Sequence, residues 1–167
     1  MSPTGQNFLN EKPSMKIRPT RSDDIPDLQH VVDGTELFPS DLLPDMVSGF
    51  LREGESHDVW LTCELEGKAE GFCYAVPEKL TDGTWNMLAI AVHPLQQGLG
   101  IGAAIVKHLE NTLRERGQRV LIADTSGTPE FEQTRQFYRK NGYLEEARIR
   151  DFWTDGSDKV VFWKRLV

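Results

Sequence analysis

The 167-residue chain has few cysteines, no long apolar run and no excess of basic residues. Its two cysteines are too few for the disulfide framework that holds small secreted proteins together. No uncharged apolar run approaches the ~18 residues of a membrane-spanning helix. Lys and Arg total 19 against 26 Asp and Glu, and a net charge of −7 would repel a polyphosphate backbone. We therefore expect a cytoplasmic protein that binds neither membranes nor nucleic acids.

The cysteines and histidines also lack the spacing of a metal site. His30, His57, His93 and His108 form no HxxxH pattern, and the cysteines form no CxxC pair. The sequence therefore predicts no bound metal.

The two cysteines are expected to stay reduced. They lie in adjacent runs of alternating polarity that read as a hairpin with a two-residue turn at Gly67-Lys68. That turn would place Cys63 opposite Phe72 and Cys73 opposite Thr62. The thiols would then point to opposite faces of the sheet, which no disulfide can bridge.

Periodicity along the chain predicts a disordered leader over residues 1–14 and one domain over residues 15–167. The domain has the order β-α-α-β-β-β-α-β-α-β-β, which predicts the α+β class. Its sheet of about seven strands is mixed and largely antiparallel, with helices on both faces. The predicted strands cover residues 15–18, 59–65, 71–76, 85–92, 119–125, 144–154 and 159–165, and the helices begin near residues 22, 40, 101 and 130. Gly34 is expected to end the first helix, and Gly54 lies beyond the end of the second.

The segment VHPLQQGLGIGAA, residues 92–104, joins a strand end, a polar loop and a helix start. The free N–H groups and the dipole of a helix N-terminus attract an anion, and glycines let its oxygens approach the backbone. This arrangement suits a pyrophosphate.

One alternative for this loop is a dinucleotide site. Gly98-x-Gly100-x-x-Ala103 satisfies the GxGxxA pattern, and Asp124 follows at the end of the next strand, where an acidic ribose ligand would stand. A NAD(P)-dependent oxidoreductase is therefore the second hypothesis. Against it, five residues separate Val92 from Gly98, whereas the dinucleotide fold turns sharply from strand to glycine.

A different interpretation, which is the first hypothesis, fits more of the chain. Gln97-x-x-Gly100-x-Gly102 resembles the (Arg/Gln)-x-x-Gly-x-(Gly/Ala) signature of the GCN5-related N-acetyltransferase (GNAT) superfamily. The stretch FYRKNGY, which begins at Phe137, is similar to the FYxxxGF motif of that superfamily. The resemblance extends over about residues 15–166, because the predicted element order also looks like that fold.

The resemblance implies a three-layer α/β/α acyl-CoA N-acyltransferase fold and an N-acetyltransferase that uses acetyl-CoA as cosubstrate. The strand with Ile90, Ala91 and Val92 would offer backbone groups to the pantetheine arm, and the Val92 N–H would hold the oxyanion. Tyr138 would protonate the leaving thiolate. The pyrophosphate would be wrapped by Gln97, Gly98, Leu99, Gly100, Ile101, Gly102 and Ala103. Arg135, Arg139 and Lys140 are further candidates to face the CoA phosphates.

The sequence departs from the superfamily in two places. Leu88 stands where many members have a glutamate base, and Phe131 stands where many have an asparagine. The identity of the base is therefore open, with Asp124 and Glu36 as carboxylates that would organise a water molecule. A non-catalytic acyl-CoA-binding module remains a third hypothesis.

In this fold the acceptor pocket lies between two loops, here residues 35–40 and 152–158. Their candidate substrate-binding residues are Glu36, Phe38, Trp153 and Asp155, to which Asp124 is added from the neighbouring strand. This mixture of aromatic walls and carboxylates favours a small cationic or zwitterionic amine as acceptor. Whether the protein forms a homodimer is left open.

Overall fold

The structure is a computed structural model that describes residues 14–52 and 55–167. The predicted leader therefore lies outside the described residues except for Ser14, and Gly54 lies outside them too. Ser14 donates its backbone N–H to Glu66 Oε1 at 2.8 Å, next to the first strand.

The elements follow the predicted order. They are β1 (Met15–Pro19), α1 (Ile25–Thr35), α2 (Leu43–Leu51), β2 (Val59–Leu65), β3 (Lys68–Pro77), β4 (Thr84–Val92), α3 (Ile101–Glu115), β5 (Val120–Ser126), α4 (Glu132–Lys140), β6 (Leu144–Thr154) and β7 (Ser157–Arg165). Short 3-10 turns at Ser22–Asp24, Ser40–Leu42 and Pro129–Phe131 lead into α1, α2 and α4, and another at Pro94–Gln96 follows β4. Within the described residues, no helix is both long enough and apolar enough to cross a membrane.

The strands form one mixed sheet in the order β1-β2-β3-β4-β5-β7-β6. Neighbouring strands are antiparallel except β4 and β5, which are parallel because α3 makes the crossover between them. The α+β prediction with about seven strands is confirmed.

Each face of the sheet carries its own hydrophobic core. On one face α3 presents Ile105, Leu109 and Leu113, spaced four residues apart along one side of the helix, to strand residues of the centre of the sheet. On the other face α1 and α2 pack Leu28 and Val47 among their own core residues against the sheet. We call the two sides the α3 face and the α1 face. Helices on both faces make the fold a three-layer α/β/α arrangement.

The hairpin prediction placed the cysteines on opposite faces, and this was wrong. The register between β2 and β3 shifts after Cys63, because β3 carries one extra residue, Glu70, between the partners of Cys63 and Glu64. Cys63 therefore pairs with Gly71, and both cysteines belong to the core on the α3 face. Both thiols are free and fully buried, as expected for reduced cysteines.

Gly34 does not end α1, which continues to Thr35. A Cβ built on Gly34 would lie 2.9 Å from Cδ of Pro94, so a glycine is required where the loop after β4 crosses the helix. His30 of α1 stacks on His93 of the same loop, with ring centroids 5.3 Å apart. The helix therefore fixes the start of the glycine-rich loop.

Candidate active site

A cleft opens between β4 and β5, the two parallel strands at the centre of the sheet. Their pairing ends at Met87 and Ala123, although β4 continues to Val92 and β5 to Ser126. Beyond that point β4 is paired only with β3. The sheet therefore offers an unpaired strand edge in its interior, which is the edge an extended ligand can join as a partner strand.

The backbone of β4 faces this cleft at every second residue. The His93 N–H donates to the Glu70 carbonyl at 2.8 Å, so the next pair along the ladder, Val92 with Gly71, is a pair without mutual hydrogen bonds. The N–H and C=O groups of Val92 and, two residues earlier, of Ile90 therefore point toward β5. Ala91 directs its backbone to β3 instead, so among the three predicted residues it is the one that does not present backbone groups to the cleft.

Leu88 forms a β-bulge at the closed end of the cleft. Ala89 pairs with Tyr74 and Met87 pairs with Ala75, which leaves Leu88 without a partner on β3. The Leu88 side chain is 53% exposed. The position to which the superfamily resemblance assigns a glutamate is thus accessible to solvent, but it holds an apolar side chain.

The glycine-rich loop leads from the strand end into α3. Gly98 and Gly100 both have φ of +80°, and a Cβ at either position would meet no atom within 4 Å. The left-handed backbone favours glycine at both positions, and the space beside each residue is open. Gly100 is the N-cap of α3 and provides no side-chain cap, so the first N–H groups of the helix face this space.

The other predicted loop residues divide into exposed and packed positions. Gln97 and Leu99 are exposed, whereas Ile101 is buried in the core on the α3 face. A Cβ on Gly102 would lie 3.1 Å from the Phe137 ring, so this glycine lets α3 approach α4. Ala103 follows in the first turn of α3 and is half-buried.

Tyr138 lies in α4 and is 3% exposed. Its ring packs against Phe137, Tyr143 and Phe162, with centroid distances of 5.5, 5.7 and 5.2 Å. Burial raises the pKa of Tyr138 well above its ordinary value, and the neighbouring Asp124 carboxylate adds to this increase. The Tyr138 hydroxyl is therefore protonated at neutral pH.

Asp124 belongs to a polar cluster at the closed end of the cleft, on the α1 face. The Asn86 side chain donates to Glu78 Oε1 at 3.0 Å and to Asp124 Oδ2 at 3.4 Å, and Lys159 Nζ lies 3.1 Å from the same Asp124 oxygen. The sequence analysis missed Glu78, Asn86 and Lys159. The visible signal was Asn86 itself, a polar residue inside a predicted buried strand.

The end of β6 and the start of β7 bring aromatic side chains to this cluster. Trp153 donates its indole N–H to the Thr125 carbonyl at 3.3 Å, and Phe152 packs edge-on against Trp153 at 4.8 Å. Lys159 Nζ lies 4.5 Å from the centre of the Phe152 ring. The predicted acceptor residue Trp153 thus contacts the residue after Asp124, and Phe152 lies against the Lys159 ammonium that pairs with Asp124.

The remaining predicted acceptor residues make no described contact with this cluster. Glu36 is exposed at the end of α1 with a φ of 53°, and Asp155 is exposed in the β6–β7 turn. Phe38 packs against the core on the α1 face. Among the described contacts, none joins Glu36 or Asp155 to Asp124.

Two of the three basic residues of α4, Arg135 and Arg139, are engaged within the protein, whereas Lys140 is exposed. Arg135 is 6% exposed and donates to the backbone carbonyls of Ser126 and Thr128 at 2.7 and 2.8 Å, so it does not face a phosphate. Arg139 pairs with Glu145 at 3.0 Å. Over residues 14–52 and 55–167, no three His, Cys, Asp or Glu side chains gather as a metal ion would require.

Comparison with known proteins identifies the family. The sequence profile described as "Acetyltransferase (GNAT) domain" matches residues 55–145. The chain is 27% identical over 105 residues to an uncharacterized N-acetyltransferase of Methanocaldococcus jannaschii, a match that covers 61% of this chain and 63% of the relative. The matched region thus spans less than two thirds of that relative.

Solved structures show the same fold. A protein from Desulfovibrio desulfuricans that is assigned to the GNAT family is 26% identical, with a TM-score of 0.85, and the match covers 92% of this chain and 100% of that one. A Salmonella typhimurium protein described as an acetyltransferase and solved with acetyl-CoA is 17% identical, with a TM-score of 0.75 over 92% of this chain and 95% of its own. At that identity the second likeness concerns the fold alone. Because the family profile matches more than half of the residues, this chain belongs to the GNAT acetyltransferase family.

Proposed function

We propose that this protein transfers the acetyl group of acetyl-CoA to a primary amine by direct attack in a ternary complex. The observation that carries the proposal is the cleft between β4 and β5, which leads to the glycine-rich loop at one end and to Asp124 at the other. The Tyr138 ring lies at the Asp124 end, because it packs on Phe162, the partner of Ala123. A thioester bound along β4 would lie between an anion site and a proton donor.

The residues of the loop fit the diphosphate of a CoA ester. The open space beside Gly98 and Gly100 leaves room for phosphate oxygens, and the free N–H groups at the start of α3 provide donors. The pantetheine amides would pair with the cleft-facing groups of β4 that the protein leaves free, as a neighbouring strand would. The Val92 carbonyl is not one of them, because it accepts from Gln97.

The chemistry needs an oxyanion donor and a proton donor. When the amine attacks the thioester carbon, negative charge develops on the carbonyl oxygen, and a cleft-facing N–H of β4 would stabilise it. Val92 is the predicted donor, and Ile90 faces the cleft two residues closer to Asp124. Collapse breaks the C–S bond, and Tyr138 gives its proton to the departing thiolate. Burial raises the pKa of Tyr138, so the hydroxyl is protonated at neutral pH and is available as a donor.

Direct attack is favoured over an acyl-cysteine intermediate. Cys63 and Cys73 are fully buried in the core. Burial raises the pKa of the Cys73 thiol to about 12 and also raises that of Cys63. A thiolate nucleophile is therefore scarce at neutral pH.

The amine must be neutral when it attacks, and Leu88 supplies no base. An exposed amine loses its proton to water, and a carboxylate near the cleft would only position that water. Asp124 and Glu36 remain the two carboxylates to compare.

Calorimetry with acetyl-CoA and with NADH tests the cosubstrate. The proposal expects saturable binding of acetyl-CoA and none of NADH, whereas the reverse result would favour a dinucleotide-dependent oxidoreductase. An amine library screened for release of free CoA thiol then tests turnover. Binding of acetyl-CoA without thiol release by any amine would leave a non-catalytic acyl-CoA-binding module.

A further inference from the structure

The polar cluster of Glu78, Asn86, Asp124 and Lys159 lies where an acceptor entering from the α1 face would meet the thioester. Asp124 is the first residue of β5 beyond its last pair with β4. Its neighbour Ala123 belongs to the core on the α3 face, so the Asp124 side chain lies on the α1 face. Tyr138 reaches the same end of the cleft from the α3 face.

The contacts within the cluster fix the orientation of the Asn86 amide. Two carboxylates, Glu78 and Asp124, lie 3.0 and 3.4 Å from Asn86 Nδ2. A carboxylate only accepts hydrogen bonds at neutral pH, so the nitrogen and not the oxygen must lie between them. Asn86 therefore holds the two acidic groups together.

Two oxygens of the cluster lack a donor. Asn86 is 6% exposed, and its Oδ1 is buried with no hydrogen-bond partner in the described part of the chain. Asp124 Oδ1 is also buried and has no hydrogen-bond partner among the described residues. Buried polar atoms are normally paired, so these two oxygens can accept hydrogen bonds from one more donor group. An ammonium group provides three N–H donors and no acceptor.

Lys159 shows how the site holds an alkylammonium. Its Nζ lies 3.1 Å from Asp124 Oδ2 and 4.5 Å from the centre of the Phe152 ring, between a carboxylate and an aromatic face. Phe152 and Trp153 are both 47% exposed, so the aromatic wall is accessible from solvent. The side chain of Lys159 is itself a primary aliphatic amine.

The charges of the cluster favour a cation. Glu78 and Asp124 carry two negative charges against the single positive charge of Lys159, and no described ion pair involves Glu78. A carboxylate attached beside the incoming amine would face both acidic side chains. A cation without such a group meets no repulsion.

We propose that Asp124 and the Phe152 ring bind the ammonium group of the acceptor, that Lys159 occupies this place in the free protein, and that the site selects aliphatic primary amines without an adjacent carboxylate. This inference rests on the proposed function, because it names the acceptor class of the same site. When the acceptor binds, Lys159 moves to solvent, and the acceptor ammonium replaces it at Asp124 and supplies the donor that Asp124 Oδ1 lacks.

A titration with butylamine hydrochloride tests this without turnover. The indole N–H resonance of Trp153, assigned with a Trp153→Phe variant, reports on the site because this group lies beside Phe152. We expect a saturable shift in the parent, at least ~10-fold weaker binding in Asp124→Asn and several-fold tighter binding in Lys159→Met. Norleucine, which carries a carboxylate beside its amine, should bind more weakly than butylamine.

Two surface variants serve as controls. Asp82→Asn and Lys68→Met change exposed side chains of the same types elsewhere and should leave the titration unchanged. Equal butylamine binding in the parent and Asp124→Asn would overturn the inference. Weaker binding of both ligands in Lys159→Met would also overturn it, because Lys159 would then be a binding group. If the Trp153 resonance does not shift although the enzyme releases thiol, the inference is rejected. If the shift saturates but no amine releases thiol, the proposed function alone is rejected.

Discussion

The side chain of Gln97 donates a hydrogen bond to the main-chain carbonyl of Val92 at 3.1 Å. The bond closes the loop over the strand end, so the glycine loop and the cleft-facing backbone of β4 are held together. The Val92 N–H is left free, while its carbonyl has a partner within the protein. A ligand that uses both the loop and the strand thus meets two sites in a fixed relation.

Replacing Gly100 by valine should abolish tight CoA binding. The residue has φ of +80°, which costs a β-branched residue roughly 1–2 kcal/mol, and the new side chain would fill the space beside the helix N-terminus. We expect CoA affinity to fall at least ~10-fold, as measured by calorimetry. Gly67→Val is the matched control, because Gly67 has the same φ and open surroundings in the β2–β3 turn. If both variants fold and bind CoA equally well, the loop is not the diphosphate site.

Tyr138→Phe should lower kcat by about 100-fold and leave acetyl-CoA binding intact, since only the hydroxyl is lost. Tyr143→Phe is the control: its hydroxyl donates to Glu110 at 3.1 Å, inside the core, so the change should reduce stability and not kcat. Because burial raises the pKa of Tyr138, the parent should show no loss of activity from tyrosine ionisation up to about pH 10. An unchanged kcat in Tyr138→Phe would assign the proton to another donor.

No single carboxylate is expected to act as the base. Leu88 occupies the usual position, so kcat/KM should rise with pH along the pKa of the acceptor amine itself. Asp124→Asn and Glu36→Gln should each lower kcat at saturating amine by less than ~10-fold, and Asp124→Asn should mainly raise the KM for the amine. pH profiles of the parent and both variants decide this. A variant that is inactive at every pH would identify its carboxylate as the base.

The ion pair between Arg18 and Asp24 should make stability depend on pH in acid. Arg18 donates to both Asp24 oxygens at 2.7 and 2.8 Å, and Asp24 is 6% exposed. Burial by itself would raise the pKa of Asp24, but the hydrogen bonds from Arg18 and from the Arg21 N–H outweigh it and hold the pKa below its ordinary value. The pair therefore stabilises the fold at pH values above the unfolded-state pKa of about 3.9. This stabilisation is lost as the pH falls through the lower pKa of Asp24 in the folded state.

Urea unfolding of Asp24→Asn and of the parent measures this effect. The variant should be less stable by about 2–3 kcal/mol at neutral pH, and the difference should shrink in strong acid. Asp23→Asn, at the exposed neighbouring position, should change little. A difference that stays constant down to strong acid would show that the ionised form of Asp24 is not what stabilises the fold.

Sequence periodicity was sufficient where a strand or helix has one regular pattern. The bounds of β2 and β6 agree with the prediction, and so does the order of all elements, because alternation and helical spacing are local properties. Periodicity did not reveal the bulges at Glu70 and Leu88, since one extra residue changes the register without changing the composition of the strand. The position of both cysteines on one face follows from the first bulge.

The sequence also could not predict the parts of the site that are formed by residues far apart in the chain. The strand edge at Ile90 and Val92 and the loop glycines lie within one continuous segment, so a motif marks them. Asn86 and Lys159 are 73 positions apart and meet only because β4, β5 and β7 are neighbours in the sheet. Arg135 was a candidate to face the CoA phosphates, but its contacts with backbone carbonyls exist only once α4 has packed on the sheet.

The most direct test of the account is the release of CoA thiol when butylamine is added to the protein with acetyl-CoA. The account predicts one free thiol for each molecule of N-acetylbutylamine formed, a rate that saturates in both substrates, and about 100-fold slower release by Tyr138→Phe at equal acetyl-CoA occupancy. Thiol release that does not exceed the amine-free control, for butylamine and for every other amine, while acetyl-CoA is bound, would contradict it.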